Sequence, residues 1–266
     1  MLPLNRLKTE TIRPEMTKPI LVGKEDFVKA PLFSLVIPVY NEADIVVESL
    51  NVLHRFFRRT NCELIVFDDC SEDETRLKLE NAVSFWKNPR MQFLHSSNRI
   101  GKGGTIKNAV KKANGEVVIM MDVDLSADLG SLPVLIREAR ESGGLVIGER
   151  SLSDRSGQGL LRVMLSVAYN TCVRAMFRTG VRDHQCGFKA MRTDVARKLM
   201  TETKNDGFVF DTELIVLATK RSVPVRKVPV KWTSNRPKRS NLKWLKIGVT
   251  MMKDLIMLKL SDSHNL

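Results

Sequence analysis

FSLVIPVYNEADIVVESLNVLHRFF, from Phe33 to Phe57, is the stretch that decides the fold. FSLVIPVY (Phe33 to Tyr40) is an apolar run suited to a strand buried on both faces. The residues after it carry apolar side chains at helical spacing, with Asn41 placed as a cap. That is a β-α unit, and it recurs downstream. ELIVFDD (Glu63 to Asp69) repeats the strand signal, and SEDETRLKLENAVSFW reads as a helix opened by Ser71, with Glu74 three residues on. MQFLHS follows as a strand, TIKNAVKKA as a helix, EVVIMMDVD as a strand, LPVLIREARES as a helix and GLVIGER as a strand. This alternation predicts an α/β fold, with a mostly parallel central sheet flanked by helices and ligands beyond the carboxyl ends of its strands.

Upstream, residues 1–31 mix Pro, Thr and both charge signs without periodicity and read as an irregular arm. Beyond Gly159 the rhythm changes. LLRVMLSVAYNTCVRAMF (Leu160 to Phe177) is a long amphipathic helix, followed by a loop containing DHQCGFKAMR and a helix from Asp211. VPVRKVPVKW reads as an edge strand with two prolines, and Leu242 to Leu260 as a last helix.

The net charge of +13 is unevenly placed: between Lys220 and Leu260 twelve lysines and arginines face Asp254 alone. Such a cluster calls for an anionic partner. Cys62, Cys70, Cys172 and Cys186 form no CxxC pair, and His54, His95, His184 and His264 have no zinc spacing, so a reducing compartment is expected. MLPLNRLKTETIRPEM lacks the apolar stretch of a secretory signal. No run reaches the roughly 18 apolar residues of a spanning helix, and the expected location is the cytoplasm.

Acids recur at strand carboxyl ends: Glu42 after the first, Asp68 and Asp69 at the second, Asp122 and Asp124 in EVVIMMDVD. Extended geometry would put Asp122 and Asp124 on one side, with Val123 turned to the core, and two such oxygens can hold Mg²⁺ or Mn²⁺ and leave room for a diphosphate. Two acids opening a loop are the plainer reading of the same spacing. DDCSEDET equally suits a helix N-terminus. IGKGGTIKNAV matches neither a Walker A motif nor a GxGxxG loop, although a glycine turn at a helix start, with Lys102, can face an anion.

Taken in order, VIPVYNEAD, FDDCSEDET, NRIGKGGTIKNAV, MDVDLS, GERS, DHQCGFKAM and GFVFDTELIVLA resemble the inverting GT-A glycosyltransferases of family 2. Within that family they are similar to the dolichyl-phosphate glucosyltransferase and dolichol-phosphate mannose synthase group. QCGFK and FDTEL favour the glucosyl branch. The resemblance covers roughly Phe33 to Leu260 and implies a GT-A nucleotide-sugar-binding fold over residues 32–232. Residues 233–266 then form a basic loop and an amphipathic helix. It places the nucleotide-sugar pocket on Pro38, Tyr40, Glu42, Phe67, Asp69, Lys102 and the Asp122-Val123-Asp124 triplet, with the metal on Asp122 and Asp124. Arg150 falls where phosphate is held. The residues expected to carry catalysis are Asp124, Asp122, Arg150 and Asp211, with Asp211 either orienting the acceptor or capping its helix. Cys70 stands where a glycine is usual, and Val123 where alanine is common.

The implied reaction is metal-dependent, inverting transfer of a hexose, UDP-glucose favoured, to a polyprenyl or dolichyl phosphate. A phosphate already ionised at neutral pH needs positioning more than a general base. Arg150, Arg236, Lys238, Arg239 and Lys243 would meet the lipid phosphate and an acidic membrane surface. In the last helix Leu242, Leu245, Val249, Met252 and Ile256 share a face, flanked by Lys243, Lys246 and Lys253, which suits either an interfacial helix or packing on the domain. Attachment is expected to be peripheral, on the cytoplasmic face, with a membrane-protein partner as an aid. The competing expectations are another donor (GDP-mannose, a UDP-N-acetylhexosamine or a UDP-uronic acid), a soluble glycan acceptor, or a basic nucleic-acid-binding protein. The last is disfavoured because only Trp232 and Trp244 interleave the cations and the acids go unexplained; no nucleic acid is expected as a partner.

Overall fold

A computed structural model of the chain describes residues 31–57, 60–86, 90–150, 160–233 and 241–263. The arm over residues 1–30 lies outside the described residues. Its apolar strand runs become β1 (Phe33–Val39), β2 (Cys62–Asp68), β3 (Met91–His95), β4 (Val117–Met120) and β5 (Leu145–Arg150). Two further strands, β6 (Lys189–Arg192) and β7 (Val225–Val230), complete one sheet in the order β3-β2-β1-β4-β6-β5-β7. All pairings are parallel except those of β6, which runs antiparallel to both β4 and β5. β6 falls inside a segment expected to be loop. KAMR is short and polar at both ends, and its strand character comes from its partners rather than from its own pattern. β7 is an edge strand, as its prolines require.

The helices are α1 (Val46–Phe57), α2 (Thr75–Trp86), α3 (Gly101–Lys112), α4 (Leu132–Ser142), α5 (Leu160–Phe177), α6 (Thr193–Glu202), α7 (Phe210–Lys220) and α8 (Asn241–Ser263). α1 packs on α2; α3, α6 and α7 pack together, with α3 against β1 and β2; α4 lies across β4, β6, β5 and β7. The sheet buries Leu35, Ile37, Ile65, Val66, Val118 and Ile119 completely. Its polar members are paired: Ser34 donates to Glu63 at 2.6 Å, and Glu63 also accepts from the side chains of Gln92 and Asn114.

Two expected helix starts differ. Asn41 does not cap α1. It adopts a left-handed φ of 50°, accepts from the Glu72 N–H at 2.8 Å and donates its own N–H to Ser71, so it ties the loop after β1 to the loop after β2. Asp73, rather than Ser71, receives the Thr75 N–H at the start of α2. Ser71 instead bonds back to Asp68.

α5 and α8 run in the same direction, Leu165 against Gly248 and Phe177 under Lys259, and enclose a second small core of Tyr169, Val173 and Leu255. Leu255, outside the expected apolar stripe, is fully buried. Of that stripe, Leu245, Val249 and Ile256 are exposed and Met252 is half-buried against α5. Among the described residues no helix is long and apolar enough to cross a membrane.

Candidate functional site

The strand order reverses between β1 and β4, and the crevice beyond their carboxyl ends is where this topology places a ligand. β4 ends at Met120, two residues before the first aspartate. Asp122-Val123-Asp124 is therefore a turn and not the extended strand expected. The Leu125 N–H closes it on the Asp122 carbonyl at 3.2 Å, and Leu125 itself has a left-handed φ of 48°. Val123 does turn to the core, 1% exposed. Asp124 accepts from the Ser126 N–H at 3.1 Å. The Asp122 carboxylate lies over Gly187, whose Cβ, if it had one, would fall 2.3 Å from Oδ2. Only glycine leaves that space.

Lys102 reaches this turn from α3. Its ammonium donates to Asp211 Oδ2 at 2.9 Å and pairs with Asp122 Oδ1 at 3.0 Å. The other Asp211 oxygen accepts from Lys189 at 2.6 Å, and Lys189, fully buried, also donates to the Cys186 carbonyl. Burial works against the Lys102 charge, but Asp122 and Asp211 outweigh it and hold its pKa above the usual lysine value. Asp211 lies in the first turn of α7 and Val209 is the N-cap, so Asp211 does not cap the helix. Its carboxylate is spent on two lysines.

The glycines in the first turn of α3 do not wait for an anion. Asp69, at the end of β2, accepts the N–H groups of Ile100 and Gly101 at 2.7 and 3.0 Å. Gly103 and Gly104 donate theirs to the Asp206 carbonyl. A Cβ on Gly103 would meet Phe210 at 2.7 Å and the Asn205 carbonyl at 2.8 Å, so close packing explains the glycine. Burial raises the Asp69 pKa despite those two N–H bonds. Cys70 beside it takes φ 59°, the left-handed conformation a glycine would supply at less cost. The Arg99 guanidinium lies 3.7 Å from the centroid of the Tyr40 ring and 3.9 Å from Asp69. Of the other expected pocket residues, Phe67 is buried and Pro38 partly so. Glu42 stands at the foot of α1, its carbonyl accepting from Ile45 and Val46.

Across the crevice, Arg150 at the end of β5 holds Asp183 with two bonds, Nε–Oδ2 at 2.5 Å and Nη2–Oδ1 at 2.8 Å, and its guanidinium sits 4.8 Å from the Trp232 ring. Burial opposes its charge and Asp183 more than compensates, so its pKa is raised. Next to Asp183, His184 is fully buried between Thr179 and Asn170, and burial, helped by the charge of Lys189, pulls its pKa down to about 4. Gln185 donates to Thr212, which also bonds the Tyr169 hydroxyl at 2.8 Å. Arg236, Lys238 and Arg239 lie outside the described residues, and Lys243 is described in its backbone alone.

The structure thus brings Asp122, Asp124, Lys102, Asp211 and Arg150 to one end of the sheet, with Tyr40 and Asp69 along its β1–β2 rim. Sequence reasoning missed Lys189, Asp183, Gly187 and Arg99. The available signal for Lys189 was a charged residue between Phe188 and Ala190, which when buried must be paired.

Residues 34–200 match the family described as glycosyl transferase family 2. Among curated proteins the chain is 32% identical over 205 residues to glycosyltransferase AglD of Haloferax volcanii, covering 75% of this chain but only 32% of that protein. It is 25% identical over 256 residues to dolichyl-phosphate beta-glucosyltransferase of Dictyostelium discoideum, covering 91% and 78%. The mouse (Mus musculus) dolichyl-phosphate beta-glucosyltransferase is 26% identical, covering 85% and 74%. Among solved structures, glucosyl-3-phosphoglycerate synthase from Mycobacterium tuberculosis, in complex with Mn²⁺ and UDP-glucose, superimposes with a TM-score of 0.68 at 19% identity, covering 96% of this chain and 86% of that one. That likeness is one of fold, and the fold is GT-A. Because the matched segment runs from β1 into α6 and takes in the Asp122–Asp124 turn, Lys102, Arg150 and Lys189, the chain belongs to glycosyl transferase family 2.

Proposed function

We propose that this chain transfers a hexose, with UDP-glucose as favoured donor, to a polyprenyl or dolichyl phosphate at the cytoplasmic face of a membrane, inverting the anomeric centre. Residues 32–232 are the catalytic unit, and 233–266 serve attachment. The observation that carries the reading is the carboxylate turn at Asp122–Asp124 with Lys102 and Arg150 on its two sides. It offers oxygens for a divalent cation and positive charge for two phosphates. The relatives named dolichyl-phosphate beta-glucosyltransferase support the acceptor and the sugar.

Mg²⁺ or Mn²⁺ fits the residues present. Asp122 and Asp124 supply hard oxygen ligands from one turn, and Gly187 leaves room for the first of them. No group of three or more acids, histidines or cysteines able to hold a metal occurs among the described residues, so donor oxygens and water would complete the shell. When bound, the cation offsets the charge that develops on the departing nucleoside diphosphate. The neighbouring synthase structure, which holds Mn²⁺ with UDP-glucose, supports this.

The chain's own residues supply position. Tyr40 and Asp69 flank the nucleotide end of the crevice, and Lys102 presents charge to the diphosphate. Arg150 has two of its five N–H groups fixed by Asp183 and offers the others to the acceptor phosphate from a rigid, stacked setting. The attacking phosphate oxygen is ionised at neutral pH, so no base is required, and Asp211 is better suited to holding cations than to taking a proton. The outer face of α8, with Leu245, Val249, Ile256, Met257 and Leu260 exposed beside Lys253, supports peripheral attachment.

The test is transfer of radiolabel from UDP-glucose, GDP-mannose and UDP-N-acetylglucosamine into organic-extractable product. It uses purified chain and a polyprenyl phosphate, with Mg²⁺ or EDTA. Label from UDP-glucose that vanishes with EDTA and in Asp124→Ala is expected. Label from another donor changes the sugar, and none from any donor removes the lipid acceptor.

A further inference from the structure

Lys102 pairs with a carboxylate that the proposed function gives to the divalent cation. Asp122 has the Gly187 backbone on one side, and its Oδ1 pairs with the Lys102 ammonium at 3.0 Å. Lys102 has a second anchor, Asp211 Oδ2 at 2.9 Å, and Asp211 is itself pinned from behind by the fully buried Lys189. Asp122, Asp124 and Asp211 against Lys102 and Lys189 leave these five side chains at a net charge of minus one. A divalent cation reverses that sign, as an incoming diphosphate requires.

We propose that Lys102 is a built-in counterion of Asp122 that the divalent cation displaces, so that loading the metal and freeing the Lys102 ammonium for the donor diphosphate are a single exchange. The inference rests on the metal reading given above and adds the order of events. Without metal, Lys102 bridges Asp122 and Asp211. With metal on Asp122, Lys102 keeps Asp211 as its post. Asp211 is then a positioning residue that acts through Lys102.

Binding of Mn²⁺ alone to the full chain, followed by the loss of the free-ion electron paramagnetic resonance signal, tests the exchange through a double-mutant cycle. Lys102→Met is expected to tighten Mn²⁺ by about ten-fold, the size of a coupling between contacting groups. Asp211→Asn is expected to weaken it several-fold in the wild-type background, because Lys102 then clings to Asp122, and to have little effect in the Lys102→Met background. Equal weakening in both backgrounds is a mere field effect and overturns the proposal. Mn²⁺ binding undetectable in wild type but present in Lys102→Met supports it; binding undetectable in both overturns it. Should Asp211→Asn fail to fold, the side-chain ¹⁵N resonance of Lys102 in the wild type, assigned by its loss in Lys102→Met, replaces the cycle. It is expected to shift as Mg²⁺ saturates, and a fixed resonance overturns the exchange. Neither readout involves an acceptor. A coupled cycle without lipid labelling keeps the exchange and removes the lipid reading, and lipid labelling with an additive cycle does the reverse.

Discussion

On the β3-β2-β1 side of the crevice, acids are held by backbone N–H groups and hydroxyls close to strand ends: Asp69 by Ile100 and Gly101, Asp68 by Ser71, Asp73 by Thr75. On the β6-β5-β7 side they are held by cations from other elements: Asp183 by Arg150, Asp211 by Lys189 and Lys102. The two arrangements fail differently. An acid held by N–H groups can lose its charge and keep its bonds, whereas removing one member of a buried ion pair strands the other, at about 3–5 kcal/mol.

The largest expected effect lies at the seam between the two sides. Asp124→Ala should cut sugar transfer by about 10³-fold, on the scale of removing a preorganised charge-stabilising group, while thermal unfolding changes little. A loss of stability as large as the loss of activity would make the turn a structural element. Next, Lys189→Met removes the fully buried one of the two cations on Asp211 and leaves that carboxylate half-paired, which should lower stability by about 3 kcal/mol in urea titrations. A change under 1 kcal/mol would erase the contrast.

His184 sharpens the comparison through pH. Its folded pKa of about 4 lies below the ordinary histidine value of 6.5, so the unfolded chain binds the extra proton. The stability from its neutral form is complete above about pH 6.5 and declines toward pH 4, by on the order of 2 kcal/mol. Melting temperatures between pH 7 and 4.5 should show that decline, and His184→Gln should flatten it. Asp69→Asn, whose single amide oxygen can accept only one of the two N–H groups, should cost about 1.5 kcal/mol; a loss matching that of Lys189→Met would break the distinction. Smallest of all, Val249→Asp should leave stability within about 0.5 kcal/mol, yet lower co-sedimentation with anionic vesicles. Unchanged sedimentation would discard the α8 face as the attachment surface.

The same division governs what could be read from the amino-acid string. β1 to β5 were legible because each is a local apolar run, and the acids after β1, β2 and β4 because a carboxylate follows the run directly. β6 was not, since Lys189 is buried only because a carboxylate 22 positions later comes to meet it. Arg150 and Lys102 were legible as site residues through family likeness, but their partners Asp183 and Asp211 lie 33 and 109 positions away. The glycines in the first turn of α3 suggested anion binding because the segment over residues 205–210, the loop before α7 and its first residue, which fills the space they leave, has no local signature. Asn41 and Leu125 take left-handed conformations that apolar periodicity cannot reveal.

Val123, buried between two aspartates of one turn, has a consequence for fidelity of assembly. A slip of one residue in this turn would drive an aspartate into the space Val123 fills and lift the valine into water, and an unpaired charge in that space is costly. The turn therefore works like a keyed plug. It seats in one register, and the fold itself rejects a mis-set copy before any ligand arrives.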